Sequence, residues 1–276
     1  MSEYSQYRQA AWKLLKPVLP IMMLIAIISS LPSFVTTFVT YQTGVGDLLT
    51  QFLNGTTSIE QLDPAALLPT SITSLLMSII ALPLNLSVIG AAMRLCHNEE
   101  ISVRNALDYL PHTLRIIGLS LLSMLYAYWP LLIWAVCSIP VALLLTQGTL
   151  WLYSVYILVG IALCVVCIPR GYSVIATSFL QARTPREKLR TLLQRSVQSM
   201  RGFRMAFFML TFSFIGWNLL STLVSSFAEM LFGTLIGNMI SMLVSSVLTC
   251  YMTVAQALFI IDITAEKPQQ EAAEEL

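Results

Sequence analysis

Long runs without a charged residue, separated by short polar stretches, set the pattern of this chain. A helix that crosses a bilayer needs about 20 mostly apolar residues. Six runs meet that requirement, at residues 17–40, 70–93, 116–145, 149–172, 205–227 and 235–261. The third and fourth are parted only by Thr146-Gln147-Gly148. Gln147-Gly148 suits a turn, and the two runs together are too long for one crossing. The expected fold class is therefore all-α: a polytopic membrane helix bundle of about six transmembrane helices, with interfacial amphipathic helices on the cytoplasmic side. It forms a single six-span domain over residues 1–265, followed by a short tail at 266–276. Lys13 and Lys16 precede the first run, but that run exceeds the apolar part of a secretory signal and no small-residue cleavage site follows it, so it reads as a span that stays.

Composition agrees with the runs. Of 276 residues, 57% are apolar and 11% charged, against about 25% charged in soluble domains. Most of this surface does not meet water. Placement of charge then orients the spans, because cytoplasmic loops collect Lys and Arg. Arg8, Lys13 and Lys16 precede the first span, Arg94, Arg104 and Arg115 lie between the second and third, and Lys267 follows the sixth. Arg170 ends the fourth span and is followed by Arg183, Arg186, Lys188, Arg190, Arg195, Arg201 and Arg204. All 15 basic residues thus fall on one side, while the other holds only Asp47, Glu60, Asp63 and Glu229. One missed crossing would invert everything after it. Both termini are expected in the cytoplasm of a cell-membrane protein.

The basic segment before the fifth span has the clearest local pattern. Thr184-Pro185-Arg186-Glu187 reads as a capping box with proline at the first helical position. Leu189, Leu192, Leu193, Val197 and Met200 share one helical face, with Arg186, Arg190, Gln194, Arg195 and Gln198 around the remainder, and Gly202 marks a bend. Such a helix is expected to lie in the cytoplasmic interface and to attract anionic lipid, at about 1 kcal/mol per basic residue. The bland alternative is an elbow that fixes topology. A weaker counterpart begins at Ser102, with Val103, Ala106, Leu107 and Leu110 on one face, and ends at Pro111. The two regions align at an offset of 86: Ser87-Val88-Ile89 with Ser173-Val174-Ile175, Leu107 with Leu193, Arg115 with Arg201. This suggests a repeat of the same orientation. In the external loop, Asp47 and Asp63-Pro64 look like starts of short helices. Pro32, Pro83, Pro130, Pro140 and Pro169 sit within spans, where they can shape or hinge a helix.

Recognisable chemistry is sparse. No carboxylate or histidine lies in mid-span, the default mark of an ion or proton path, and no phosphate loop, nucleophile elbow or metalloprotease motif occurs. The five cysteines form no disulfide framework, and Cys164-Val-Val-Cys167 reads as packing. No catalytic residue, metal site or cofactor is expected, nor nucleic acid, since no aromatics interleave with the arginines. Candidate lipid or partner contacts are Arg183, Arg186, Lys188, Arg190, Arg195, Arg201 and Arg204. Candidate packing or cavity-lining residues are Asn85, Pro169, Arg170, Gly216, Trp217, Asn218 and Gln256. Glycine at 216 allows close helix approach, and a mid-span indole at Trp217 needs a buried acceptor.

From Ser196 to Trp217 the chain resembles a signature of the bacterial membrane proteins grouped as domain of unknown function 975. There a basic-Gly element leads into Ser-Phe-Ile-Gly-Trp, here Ser213 to Trp217, and Ile168-Pro169 with Tyr172-Ser173 fits the close of the preceding span. The resemblance covers roughly 150–265. Thr211 stands where the family often has an acid, and Arg170-Gly171 is a shortened form of the stretch after the proline. The resemblance implies a polytopic bacterial membrane protein and no activity. The expected function is non-enzymatic: holding lipid, in particular anionic lipid, or a protein partner at the cytoplasmic face. The alternative is a permease or channel component for a small solute.

Overall fold

The computed structural model describes residues 3–45, 64–145 and 150–274, with side-chain surroundings over 5–45, 68–137 and 154–265. Every regular element among them is helical: α1 (Glu3–Gln42), α2 (Pro64–Cys96), α3 (Thr113–Leu145), α4 (Leu150–Arg183), α5 (Leu189–Ser199), α6 (Arg204–Phe212) and α7 (Ile215–Glu274). The Thr146–Gly148 turn and the cap at Asp47 lie outside the described residues. The start at Pro64 is present, but it opens α2 itself rather than a separate surface helix. The predicted tail from 266 continues α7 as helix to Glu274.

Five helical stretches are long and apolar enough to cross a membrane, the last being Arg204–Ala265 with 62 residues. At 1.5 Å per residue it would be about 90 Å long, three times a hydrocarbon core of about 30 Å. It is not one rod. Gly233 has φ 79° and ψ 168°, outside any helix. Beyond it the chain returns along itself: Ser225 Oγ lies 2.8 Å from Ser241 Oγ and Asn218 Nδ2 lies 3.7 Å from Met252 Sδ. Sixteen residues of straight helix would hold Ser225 and Ser241 about 24 Å apart. The stretch is a helical hairpin, and its two arms take the places of the fifth and sixth predicted spans. Gly237 makes the return possible by lying directly on the backbone of Glu229.

The fifth span is also broken where the sequence suggested continuity. Helix α6 stops at Phe212 and α7 starts at Ile215. Phe214 at the break is fully buried. Its carbonyl accepts hydrogen bonds from both the backbone N–H and the side-chain Nδ2 of Asn218, at 3.0 and 3.1 Å. That carbonyl is thereby satisfied without water, as backbone in a bilayer requires.

The chain packs as two compact units, Met1–Ile116 with Thr211–Leu258, and Ile117–Leu210 with Phe259–Leu276. In the first, α1 and α2 pack together. Ala11, Leu15, Met22, Ala26 and Ser29 of α1 and Leu84, Val88, Ala91 and Leu95 of α2 are buried at helical spacing. Thr43 and Thr70 join the far ends, their hydroxyls 3.0 Å apart, and Cys250 Sγ donates to the Met22 carbonyl at 3.3 Å. In the second unit, α4 stacks Tyr156 on Trp134 of α3, centroids 4.5 Å apart. Gly160 lies directly against the same indole, leaving no room for a side chain. Only 11% of the apolar core of α4 is buried, and Ile157, Leu158, Ile161, Val165 and Ile168 are all exposed. So large an apolar surface would be untenable in water. These helices face lipid, and the chain is a multi-pass, membrane-embedded protein.

Prolines do not end these helices: Pro17, Pro20, Pro32, Pro69, Pro83 and Pro169 all lie inside them. Three share a local device, a hydroxyl four residues on that donates to the proline carbonyl: Thr36 to Pro32, Ser87 to Pro83 and Ser173 to Pro169, at 3.0, 3.0 and 2.7 Å. The last two are the pair related by the offset of 86. Each also ties its helix to the element that follows, Ser87 Oγ lying 2.8 Å from the Ala106 carbonyl and Ser196 Oγ donating to the Ser173 carbonyl at 2.8 Å. The counterpart segment at Ser102 differs from expectation. It forms two 3-10 turns, Val103–Leu107 and Leu110–His112, instead of an amphipathic α-helix. Asn105 Oδ1 accepts the Ser102 N–H at 2.8 Å, and Arg94 pairs with Asp108 at 2.9 Å, which folds the segment tightly under α2.

Candidate functional site

The basic segment is built differently from its sequence reading. Helix α4 runs on past the predicted end of the fourth span to Arg183. Thr184 Oγ1 then lies 3.0 Å from the Leu180 carbonyl, closing that helix, and 3.0 Å from Glu187 Oε2. Residues 184–187 therefore form a turn, with Glu187 N–H donating to the Thr184 carbonyl at 3.2 Å. The next helix begins only at Leu189, with Lys188 at the N-cap position and no side-chain cap. The Thr-Pro-Arg-Glu box is used to end one helix rather than to start another.

Helix α5 has the amphipathic character expected, but its apolar face is spent on protein. Leu192, Leu193, Ser196 and Met200 are buried, α5 packs on α4, and the Ser196–Ser173 hydrogen bond fixes the contact. The apolar stripe of this amphipathic helix thus meets protein within the chain. Arg186, Lys188, Arg190 and Arg201 stand on the exposed side. Arg183 is exposed and engaged in a contact of its own. Arg195, 54% exposed, donates to Glu187 at 3.1 Å, so part of its charge is neutralised locally. Arg204, after the bend at Gly202 (φ 94°), is half-buried and its Nε has no hydrogen-bond partner.

The predicted packing or cavity-lining residues differ in their surroundings. Asn85 and Pro169 are exposed. Gly216 has nothing within 4 Å of where a Cβ would stand, so it is no close-approach site. Gln256 is half-buried. Arg170 lies over Trp129, 5.7 Å from its ring centroid, with Nη1 buried and unpartnered. Trp217 is 51% exposed and no buried anchor. It lines an open apolar groove of about 490 Å³ with Leu220, Val224, Val244, Val247 and Tyr251. Position in the sequence placed Trp217 in mid-span, but the break at Phe214 puts it in the first turn of a new helix. A polar cleft does exist, in the other unit, where Ser120, Ser123, Thr177, Ser178 and Gln181 line about 310 Å³ between α3 and α4. Thr177 Oγ1 there is buried without a partner. Sequence reading missed this cleft because single hydroxyls in membrane helices usually bond their own backbone. Cys164 is exposed and Cys167 buried. Comparison of the chain with protein-family models, with curated proteins and with solved structures finds no match.

Proposed function

We propose that the chain is a non-enzymatic protein of a bacterial cell membrane, a member of the family its Ser213–Trp217 segment resembles, with both termini in the cytoplasm. It works by presenting a fixed basic platform to anionic lipid headgroups or to an acidic protein partner. The observation that carries this reading is the division of labour at α5 and its flanks: the apolar residues of the helix are used within the chain, while Arg190 on it and Arg186, Lys188 and Arg201 beside it stay exposed. A helix docked in this way holds its charges in one place instead of floating with the membrane surface. Each such charge is worth about 1 kcal/mol near an anionic bilayer. Photocrosslinking in native membranes tests the proposal. Reversing Arg186, Lys188 and Arg190 to Glu should remove the crosslinks of this face to anionic lipid and to any partner; an unchanged set of crosslinks contradicts it.

The polar cleft between α3 and α4 favours a second reading, a permease component for a small solute. Substituting Ser123 and Thr177 by Val should then abolish uptake by proteoliposomes while leaving the folded state intact. Uptake that is absent in the parent protein, or unaffected by the substitutions, removes this reading.

A further inference from the structure

Arg8 and Lys13 of α1 share a hollow of about 300 Å³ with Ser5, Gln9, Trp12 and Tyr251. Among the described residues, no acidic side chain lines it. Ser5 Oγ and Arg8 Nε are buried there and have no hydrogen-bond partner. Native proteins rarely leave such donors unfilled, because their desolvation is not recovered. The backbone of α1 is anchored here, Tyr251 Oη donating to the Arg8 carbonyl at 3.2 Å, and the guanidinium stands 6.0 Å from the centroid of Phe214 at the break between α6 and α7. The hollow is thus a fixed, basic, donor-rich seat for an oxyanion.

It does not end in solvent or in a closed wall. Trp12 and Tyr251, edge to face at 5.8 Å, line both this hollow and the apolar groove of about 490 Å³ between the arms of the α7 hairpin. Along one arm the groove runs from Trp217 to Val224 and along the other from Tyr251 to Val244. Seven residues of helix rise about 10 Å, so the groove leads that far from the basic end. Its volume falls in the roughly 300–1,000 Å³ span of small-molecule sites. A seat for an anion that opens into a carbon-lined channel matches a molecule with a charged head and a hydrocarbon tail.

We propose that this composite site holds one anionic phospholipid, its phosphate on Arg8 and Lys13 and an acyl chain in the groove between the two arms of α7. The proposal rests on the reading of the chain as a protein that engages anionic lipid, but it uses residues separate from the α5 platform and it makes binding stoichiometric. Tryptophan and tyrosine at the junction suit the level where headgroups meet chains.

Native mass spectrometry of the full-length protein in mild detergent tests it, with phosphatidylglycerol and phosphatidylethanolamine supplied in equal amounts. One retained phospholipid is expected, with phosphatidylglycerol favoured about thirtyfold, the effect of two basic contacts at about 1 kcal/mol each. The double variant Arg8→Gln with Lys13→Gln should lose that preference. Leu220→Trp, which fills the groove without touching the charges, should lose retention of either lipid. Glycerol phosphate added in excess should not displace the lipid, because it lacks the chain. A parent protein without preference, a double variant that melts like the parent and keeps its preference, or a Leu220→Trp protein that retains lipid normally would each overturn the proposal. Loss of the preference with the α5 crosslinks unchanged contradicts only the platform; crosslinks that respond, with no retained lipid, contradict only this site.

Discussion

At the scale of single residues, the two glycines of the α7 hairpin have opposite meanings. A methyl group on Gly237 would stand 2.6 Å from the Glu229 backbone nitrogen, whereas one on Gly216 would meet nothing within 4 Å. Backbone cannot yield as a side-chain tip can. Gly237→Ala is expected to destabilise the protein by about 1–3 kcal/mol, the usual cost of overpacking. Gly216→Ala should be neutral or gain up to about 1 kcal/mol from helix propensity. Thermal unfolding in detergent, followed by circular dichroism, checks both. Sequence singled out Gly216 as a place of close helix approach, and passed over Gly237. The difference lies in what the return arm brings opposite each position, which no local pattern contains. Asn218 was expected as an interior polar group, whereas the structure leaves it exposed. Its main bond to the Phe214 carbonyl was not legible, because it depends on a helix break that buried Phe214 helps to set.

At the scale of elements, α5 shows why an amphipathic pattern is read more easily than its use. Leucines at 189, 192 and 193 with Val197 and Met200 give the same stripe whether the stripe meets lipid or protein. The extension of α4 to Arg183 decides the matter by bringing Ser173 under Ser196. Leu192 is fully buried in that contact, so Leu192→Ala should cost about 2–5 kcal/mol if the site cannot collapse. The loosened helix should expose the turn at 184–188 to trypsin. Limited proteolysis measures this as faster cleavage after Arg186 or Lys188. Arg195→Ala removes an exposed ion pair and should change stability by no more than about 1 kcal/mol, with proteolysis as in the parent. Faster cleavage in Arg195→Ala than in Leu192→Ala would show that the pair, and not the packing, fastens α5.

At the scale of the whole chain, the number of apolar runs and the one-sided distribution of Lys and Arg carried most of what could be read. Both follow from the bilayer acting as solvent, and neither needs a partner residue. Helix ends carried less: α1 starts 14 residues before its predicted span and α4 ends 11 residues after its own, because packing against the next element continues helices beyond the hydrocarbon. The candidate sites were least legible. The basic hollow at Arg8 draws on residues more than 240 positions apart in sequence, joined by the Tyr251 hydroxyl. The central proposal is the oriented six-crossing chain, which requires the turn at Gly233 to lie outside the cell and the basic loops inside. Cysteine labelling in intact and opened cells tests it most directly, on a chain whose five cysteines are replaced by serine or alanine. Thr234→Cys should react with an impermeant maleimide in intact cells, while Glu100→Cys and Glu187→Cys should react only after the membrane is opened. Labelling of Glu187→Cys in intact cells, or of Thr234→Cys only in opened ones, would contradict the account.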